Sequence, residues 1–502
     1  MITSSNPARV RFAPSPTGRT HLGSARTALY NFLLAHQTGG QFILRLEDTD
    51  QKRYVPGAEI ELMEGLRWLG LEWDEGPEEG GPHEPYRQSE RKDIYLHYAN
   101  QLIESCHAFY CFCTPERLHQ VRQEQIKNKQ IVRYDGTCRR MDPGEALKLV
   151  EKGESHVIRC RMPWEGSITV CDRLRGEITV ENRNLDDYIL VKSDGLALYH
   201  LAAMVDDHLM GITHVIRSAE WLSTFALHAH IIRAFDWEEP EWVHLSIFLK
   251  PSGKGKMSKR ESSSLMKDGY SIFLNDLISL GYLPEAVVNW IALMGWSYDD
   301  HTEFFTLNDL VAKFILDRCN PAPAAINFSK LDHFNGLHIR SLQVKDLANR
   351  LKPYFEAAGC MVEDDKLLQI VPIIQERITT LDDAVIKAGF FFEEDVQPVP
   401  EELIGKKMTA SESATAARSA YLILSGLPEI NHENAEMPLR SLADELGLKA
   451  GQLFGILRVA VTGQKVSPPL FESMAIIGKE KVLERIQNAI EILDGMALTS
   501  FS

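Results

Sequence analysis

Residues 9–50, RVRFAPSPTGRTHLGSARTALYNFLLAHQTGGQFILRLEDTD, constrain the fold more than any other stretch. RVRFA (9–13) alternates and reads as a short strand. Ala25, Ala28, Leu29, Phe32 and Leu33 then recur at helical spacing until Gly39-Gly40 stops the helix. QFILRLEDTD (41–50) follows as a buried strand ending in acids. Strand, loop, helix and strand within about 40 residues make a βαβ unit, the start of a parallel sheet.

The loop in this unit, APSPTGRTHLGS (13–24), is neither GxGxxG nor GxxxxGK[ST]. It lies at the C-terminal end of the first strand, where open α/β sheets bind ligands, and it leads into a helix N-terminus, which favours phosphate. Gly18 and Gly23 allow close backbone approach, the prolines stiffen the loop, and His21 has a hydrogen bond to give a phosphate oxygen. The same residues suit a rigid β–α turn capped by Thr or Ser. A second element, KPSGKGKMSKR (250–260), carries five basic groups and no acid. Its two lysines in KMSKR, Lys256 and Lys259, suit a triphosphate and the phosphorus under attack. A solvated basic loop is the plain alternative.

The 502 residues suggest roughly three domains. A formal net charge of −16 argues against a generally basic nucleic-acid binder, though phosphate contacts depend on where Lys and Arg sit. Eight cysteines do not make a disulfide scaffold and read as cytosolic thiols. No secretory leader and no apolar run long enough for a membrane span are found, so a soluble cytoplasmic protein is expected. AEIELMEGLRWLGLEW (58–73) predicts another amphipathic helix. From about residue 106 to 192 short strands, turns and cysteines predict an inserted α+β module, after which strand–helix alternation resumes. Beyond residue 261 the pattern is helical. GQLFGILRVAVTG (451–463) and KEKVLERIQNAIEIL (479–493) are the plainest cases, with prolines at 321, 323, 398 and 400 as segment boundaries.

The loop and KMSKR, taken as a pair, resemble the two ATP motifs of class I aminoacyl-tRNA synthetases. With EPYRQSERKDIY and KSDGLALYHLAAMVDDHLMGITHVIRSAEWL, the chain resembles the bacterial glutamyl-tRNA synthetases, over nearly all of its first 330 residues and more loosely beyond. The resemblance implies a Rossmann-type α/β parallel-sheet catalytic domain in two halves (1–105 and 193–252). It also implies an α+β insertion that binds the acceptor end (106–192) and a stem-contact domain with KMSKR (253–330). All-α anticodon-binding domains would follow at 331–400 and 401–502. The implied reaction activates L-glutamate with ATP and transfers it to the 3′-terminal adenosine of tRNA-Glu, activation requiring bound tRNA. ATP is a substrate accompanied by Mg²⁺, and a monomer is expected.

By the same resemblance His21, Lys256 and Lys259 are catalytic. ATP would meet Pro14, Ser15, Thr17, Gly18, Thr20, His21, Gly23, Glu220, Lys256, Met257, Ser258, Lys259 and Arg260. Glutamate would meet Arg11, Ala13, Ser15, Glu47, Tyr199 and Arg217. Bidentate Arg–carboxylate pairing suits the two arginines, and Glu47 suits the substrate ammonium. Plain alternatives are a strand-edge salt bridge for Arg11, a strand-end acid cluster for Glu47, a core tyrosine for Tyr199, and capping and packing for Glu220 and Trp221. Arg377 in QERITTL is either the reader of the third anticodon base or a surface helix arginine. It bears on whether tRNA-Gln is charged as well.

Cys111, Cys113 and Cys138 resemble the zinc cluster of some family members. The expected histidine ligand is replaced by Arg140, which cannot bind metal. Tyr134 is an available substitute. No metal ligand set is assigned, and a metal-free cluster is expected. The helical C-terminal part disfavours a tRNA-modifying paralogue, which lacks an anticodon-binding region, and a glutaminyl-tRNA synthetase, which has β-barrels there. Intact His21, Lys256 and Lys259 disfavour an inactive tRNA-binding protein.

Overall fold

The computed structural model describes residues 7–257 and 262–499. The chain forms two compact units, residues 1–277 with 287–328, and residues 278–286 with 329–502.

The first unit is organised by a six-stranded sheet. β1 (Arg9–Phe12) pairs in parallel with β2 (Gln41–Leu44), and α1 (Leu22–Thr38) connects them. The helix stops at Gly39, which is left-handed with φ +66°. At Gly40 a Cβ would meet the Ala8 carbonyl oxygen at 1.9 Å, so only glycine lets the chain turn into β2 this close to β1. Chain order continues with α2 (Ala58–Trp68), α3 (Lys92–Glu104), β3 (Ala108–Cys111), α4 (Pro115–Lys127), α5 (Pro143–Glu151), β4 (Val157–Cys160), β5 (Ser167–Asp172) and β6 (Gly176–Glu181). β7 (Ile189–Val191), α6 (Tyr199–Leu209), β8 (His214–Ser218), α7 (Phe225–Ala234) and β9 (Glu241–Leu245) complete the run.

Across the large sheet the order is β2-β1-β8-β9-β5-β6. All neighbours are parallel except β6, which returns antiparallel along β5. The switch point lies between β1 and β8, so the crevice for a ligand opens at their carboxyl ends. β3, β4 and β7 form a separate antiparallel sheet. The β5–β6 hairpin, by contrast, extends the large sheet. Asp172 ties it there by accepting from the backbone N–H of His244 (3.0 Å) on β9.

Three segments differ from their sequence patterns. The second strand ends at Leu44 rather than 50, although Arg45–Thr49 stay buried. There the side chains of Arg45, Glu47 and Asp48 take up polar partners. α2 ends at Trp68 because Gly70, at φ +73°, turns the chain. The alternation of RVRFA is not an inside–outside pattern, since Val10, Arg11 and Phe12 are all buried. Strands of a parallel sheet are covered on both faces, and here the arginine is inside.

The second unit is helical. Val344–Ala357 and Asp364–Ile374 share a core that includes Leu351, Phe355, Ile370 and Ile374. Ala410–Gly426, His432–Glu445, Ala450–Thr462 and Lys479–Thr499 build another. Leu453, Leu457 and Val461 are buried at helical spacing, as are Val482, Ile486, Ala489 and Leu493. No helix among the described residues is long and apolar enough to cross a membrane.

Candidate active site

The carboxyl ends of β1, β8 and β9 and the start of α1 line a cavity of about 560 Å³. The first loop contributes Arg11, Ala13, Pro14, Ser15, Thr17, Gly18, Thr20, His21 and Gly23. Glu47, Tyr199, Arg217, Glu220, Lys256 and Met257 complete the set of expected residues that reach it. Ser258, Lys259 and Arg260 lie outside the described residues.

One end of the cavity is built on buried charge. Arg11 donates to Asp207 through Nε (2.9 Å) and Nη2 (3.3 Å). Arg45 donates to the same carboxylate (2.8 Å) and to Glu47 (3.1 Å). Burial pushes the Asp207 carboxyl up, yet the Arg11 and Arg45 guanidiniums together hold it below its ordinary value. Glu47 behaves oppositely. Burial lifts it to about 7, and Arg45 and Arg11 offset only part of that. Two arginines thus balance two carboxylates. Arg217 is left over, and among the described residues it hydrogen-bonds Tyr199, His228 and His244 but no carboxylate. Its Nη2 is buried and has no hydrogen-bond partner among the described residues. This end of the cavity is therefore cationic and holds an unused donor.

At the other end the loop enters α1. His21 itself is the N-cap: its Nδ1 accepts from Gly23 N–H at 3.1 Å, so the cap is not the Thr or Ser of the plain turn alternative. Accepting at Nδ1 puts the ring proton on Nε2. Gly23 is small for this reason, since a Cβ there would lie 3.0 Å from the His21 ring. Gly18 sits at φ +136°, a conformation that L side chains rarely adopt. Thr20 Oγ1 is buried and has no hydrogen-bond partner among the described residues. Lys256 forms an ion pair with Glu220.

The structure adds residues that the motifs omit. Asp207 and Arg45 orient Arg11 and Glu47, while His228 and His244 hold Arg217. Arg26 lines the cavity and donates to the Met294 carbonyl at 2.7 Å. Asp206 and Asp207 had a signal in the sequence, two adjacent acids directly after the apolar run LAAMV (201–205). Asp206 is spent on Arg91 (2.8 Å) and Tyr95 (2.7 Å). Nothing local marks Arg26 or the histidines.

Away from the cavity, the Cys111, Cys113 and Cys138 sulfurs lie within 4.8 Å of one another. The Tyr134 hydroxyl lies 3.5 Å from both Cys111 and Cys113. The neighbouring Cys138 thiol pulls the Cys111 thiol below its ordinary value, against the effect of burial. Arg140 turns to the Asp135 carbonyl (3.4 Å), and Arg117 Nη1 donates to the Cys113 sulfur at 3.3 Å. In the helical unit Arg377 is exposed, in the turn after Asp364–Ile374 rather than on a helix. With Arg340, Glu376 and Asp332 it lines a cavity of about 340 Å³.

Comparison with known proteins agrees with this architecture. Residues 7–333 match the family described as tRNA synthetases class I (E and Q), catalytic domain, and residues 346–490 match an anticodon binding domain. The glutamate–tRNA ligase of Roseiflexus castenholzii is 44% identical over 97% of both chains. That of Dehalococcoides mccartyi is 43% identical over 97% of this chain and 98% of the relative. The crystal structure of a glutamate tRNA ligase from Elizabethkingia meningosepticum, in complex with its amino acid, superposes with a TM-score of 0.88. It is 37% identical and covers 97% of this chain and 99% of that one. By cavity, fold and full-length similarity, the chain belongs to the glutamate–tRNA ligase family of class I tRNA synthetases.

Proposed function

We propose that the cavity joins L-glutamate to the α-phosphate of ATP, releasing pyrophosphate, and then passes the glutamyl group to the 3′-terminal adenosine of tRNA-Glu, releasing AMP. The observation that carries this reading is the juxtaposition, in one cavity, of a buried arginine with an unused donor and a helix start capped by His21. An unpaired buried donor costs about 1–3 kcal/mol, which a substrate carboxylate at Arg217 would recover. Arg11 and Tyr199 would flank that carboxylate, and ionised Glu47 would receive the ammonium. At the other end Thr20, His21 and the first N–H groups of α1 would meet the triphosphate, which brings its own Mg²⁺. Lys256 would exchange Glu220 for phosphate, and Lys259 would add charge at the phosphorus under attack. Little covalent chemistry falls to the protein, whose task is to hold two anions in line. ATP–pyrophosphate exchange tests this. Exchange with glutamate in the presence of tRNA supports it, and no exchange under those conditions overturns it.

Against the metal-free cluster expected from the sequence, we read Cys111, Cys113 and Cys138 as a structural zinc site in which the Tyr134 oxygen stands where a fourth Cys or His is usual. A cytoplasmic setting suits eight free cysteines. Arg377, beside Arg340, is the proposed reader of the anticodon. Charging of purified tRNA-Glu and tRNA-Gln by the wild type and by Arg377→Gln tests it. A changed ratio supports the role, and an unchanged ratio removes it.

A further inference from the structure

A line of histidines runs beneath Arg217. Its Nε donates to Nε2 of His244 on β9, and its Nη1 donates to Nδ1 of His228 on α7, both at 3.0 Å. A guanidinium has donors only, so both ring nitrogens must be acceptors. The protonation of the whole line follows. His244 carries its proton on Nδ1, 2.7 Å from the Asp172 carboxylate of β5. His228 carries its proton on Nε2 and donates to Nδ1 of His200 on α6, 3.0 Å away. The rings are therefore neutral and of one tautomer each.

The other titratable and charged groups facing this line are few. Tyr199 of α6 takes a second bond from Nη1 at 3.2 Å, and Arg175, after β5, reaches the His244 carbonyl at 3.3 Å. Arg11 of β1 acts on His228 through its charge. Burial pushes His244 and His200 down to about 4 and His228 well below its ordinary value, which agrees with neutral rings at neutral pH. The Trp242 ring supports the guanidinium, its centroid 5.0 Å from Cζ. Two nitrogens of Arg217 are thus fixed on the protein side, and the third, Nη2, is left. A carboxylate in place of either histidine would hold the arginine equally well but would neutralise it, as Asp207 does for Arg11.

We propose that His228 and His244 are positioning residues for the amino-acid substrate: neutral acceptors that fix two nitrogens of Arg217 and present its third, with its charge intact, to a substrate carboxylate. Asp172 acts one step further back by holding the His244 tautomer. The proposal rests on the reading of Arg217 as a carboxylate-binding residue.

The test is steady-state charging of tRNA with glutamate and ATP varied separately, alongside thermal unfolding. His228→Leu and His244→Leu remove the acceptors. His228→Asn and His244→Gln restore an acceptor near the Nδ1 and Nε2 positions, respectively. The leucine variants are expected to raise the glutamate KM on the order of tenfold or more, the scale of one charge-assisted hydrogen bond. They should leave the ATP KM near wild type, and the acceptor variants should recover most of the loss. Arg217→Ala serves as the reference. Should it raise the glutamate KM while all histidine variants match wild type, the positioning role is overturned and the reading of Arg217 stands. Equal impairment of leucine and acceptor variants for both substrates, with lowered unfolding temperature, would also overturn it in favour of plain packing. An unchanged glutamate KM in Arg217→Ala would remove the underlying reading. If a leucine variant fails to fold, His228→Phe and His244→Phe, which keep a ring but lack the acceptor, replace it in the comparison with His228→Asn and His244→Gln.

Discussion

Arg11 and Asp207 meet as a two-point ion pair beneath the cavity, Nε to Oδ1 at 2.9 Å and Nη2 to Oδ2 at 3.3 Å, both side chains 4% exposed. The partners are 196 residues apart in the chain. Asp207 also receives Arg45, so one carboxylate aligns two arginines of neighbouring structure. Removing one partner of a buried pair leaves an uncompensated charge, at a cost of about 3–5 kcal/mol. Asp207→Asn is expected to lose stability on that scale in urea unfolding and to raise the glutamate KM. A stability near wild type would show that the pair contributes little.

Glu47 provides a pH dependence of definite sign. Its ordinary value is 4.5, and burial lifts it to about 7 in the folded protein. The fold then binds the proton more tightly than the unfolded chain does. The contribution of Glu47 to stability, without amino acid bound, falls as pH rises from about 4.5 through 7 and is level above. Binding of an ammonium group needs the ionised form, so the glutamate KM should fall between pH 6 and 8 as Glu47 gives up its proton. His244 and His200, held near 4, do not titrate in that window. Glu47→Gln should flatten the profile, and a profile as steep as wild type in that variant would assign the dependence elsewhere.

His21 both caps α1 and faces the cavity, and one substitution separates the two roles. In His21→Asn the side-chain oxygen still accepts from Gly23 N–H, whereas Ala loses the cap at a cost of about 1 kcal/mol. Both lose the ring Nε2–H. Unfolding of His21→Asn is expected to match wild type while kcat falls on the order of a hundredfold, the scale of one preorganised donor. Unchanged kcat in His21→Asn would leave His21 as a cap alone.

Zinc analysis of the purified protein is expected to find stoichiometric metal that Cys138→Ser releases. Tyr134→Phe should weaken retention under a chelator, because it removes the single oxygen donor. Metal-free protein of unchanged stability would make the cluster a set of buried thiols.

Much of this protein follows from local pattern. The βαβ start, the left-handed stop at Gly39, the close approach at Gly40 and the amphipathic C-terminal helices are short-range consequences of spacing and of what a missing Cβ permits. Part of the cavity lining was legible too: the loop and the start of the basic segment by their unusual composition, and Arg11, Glu47, Tyr199, Arg217 and Glu220 through the family resemblance. The charge balance beneath them was not. Asp207, Arg45, Asp172, His228 and His244 lie far apart in the chain, and the sequence has no periodicity that reports which acid meets which arginine. Only the packed sheet decided that Arg11 meets a carboxylate and that Arg217 meets none among the described residues. Burial makes every buried charge seek a partner, and the fold alone determines which partners are within reach.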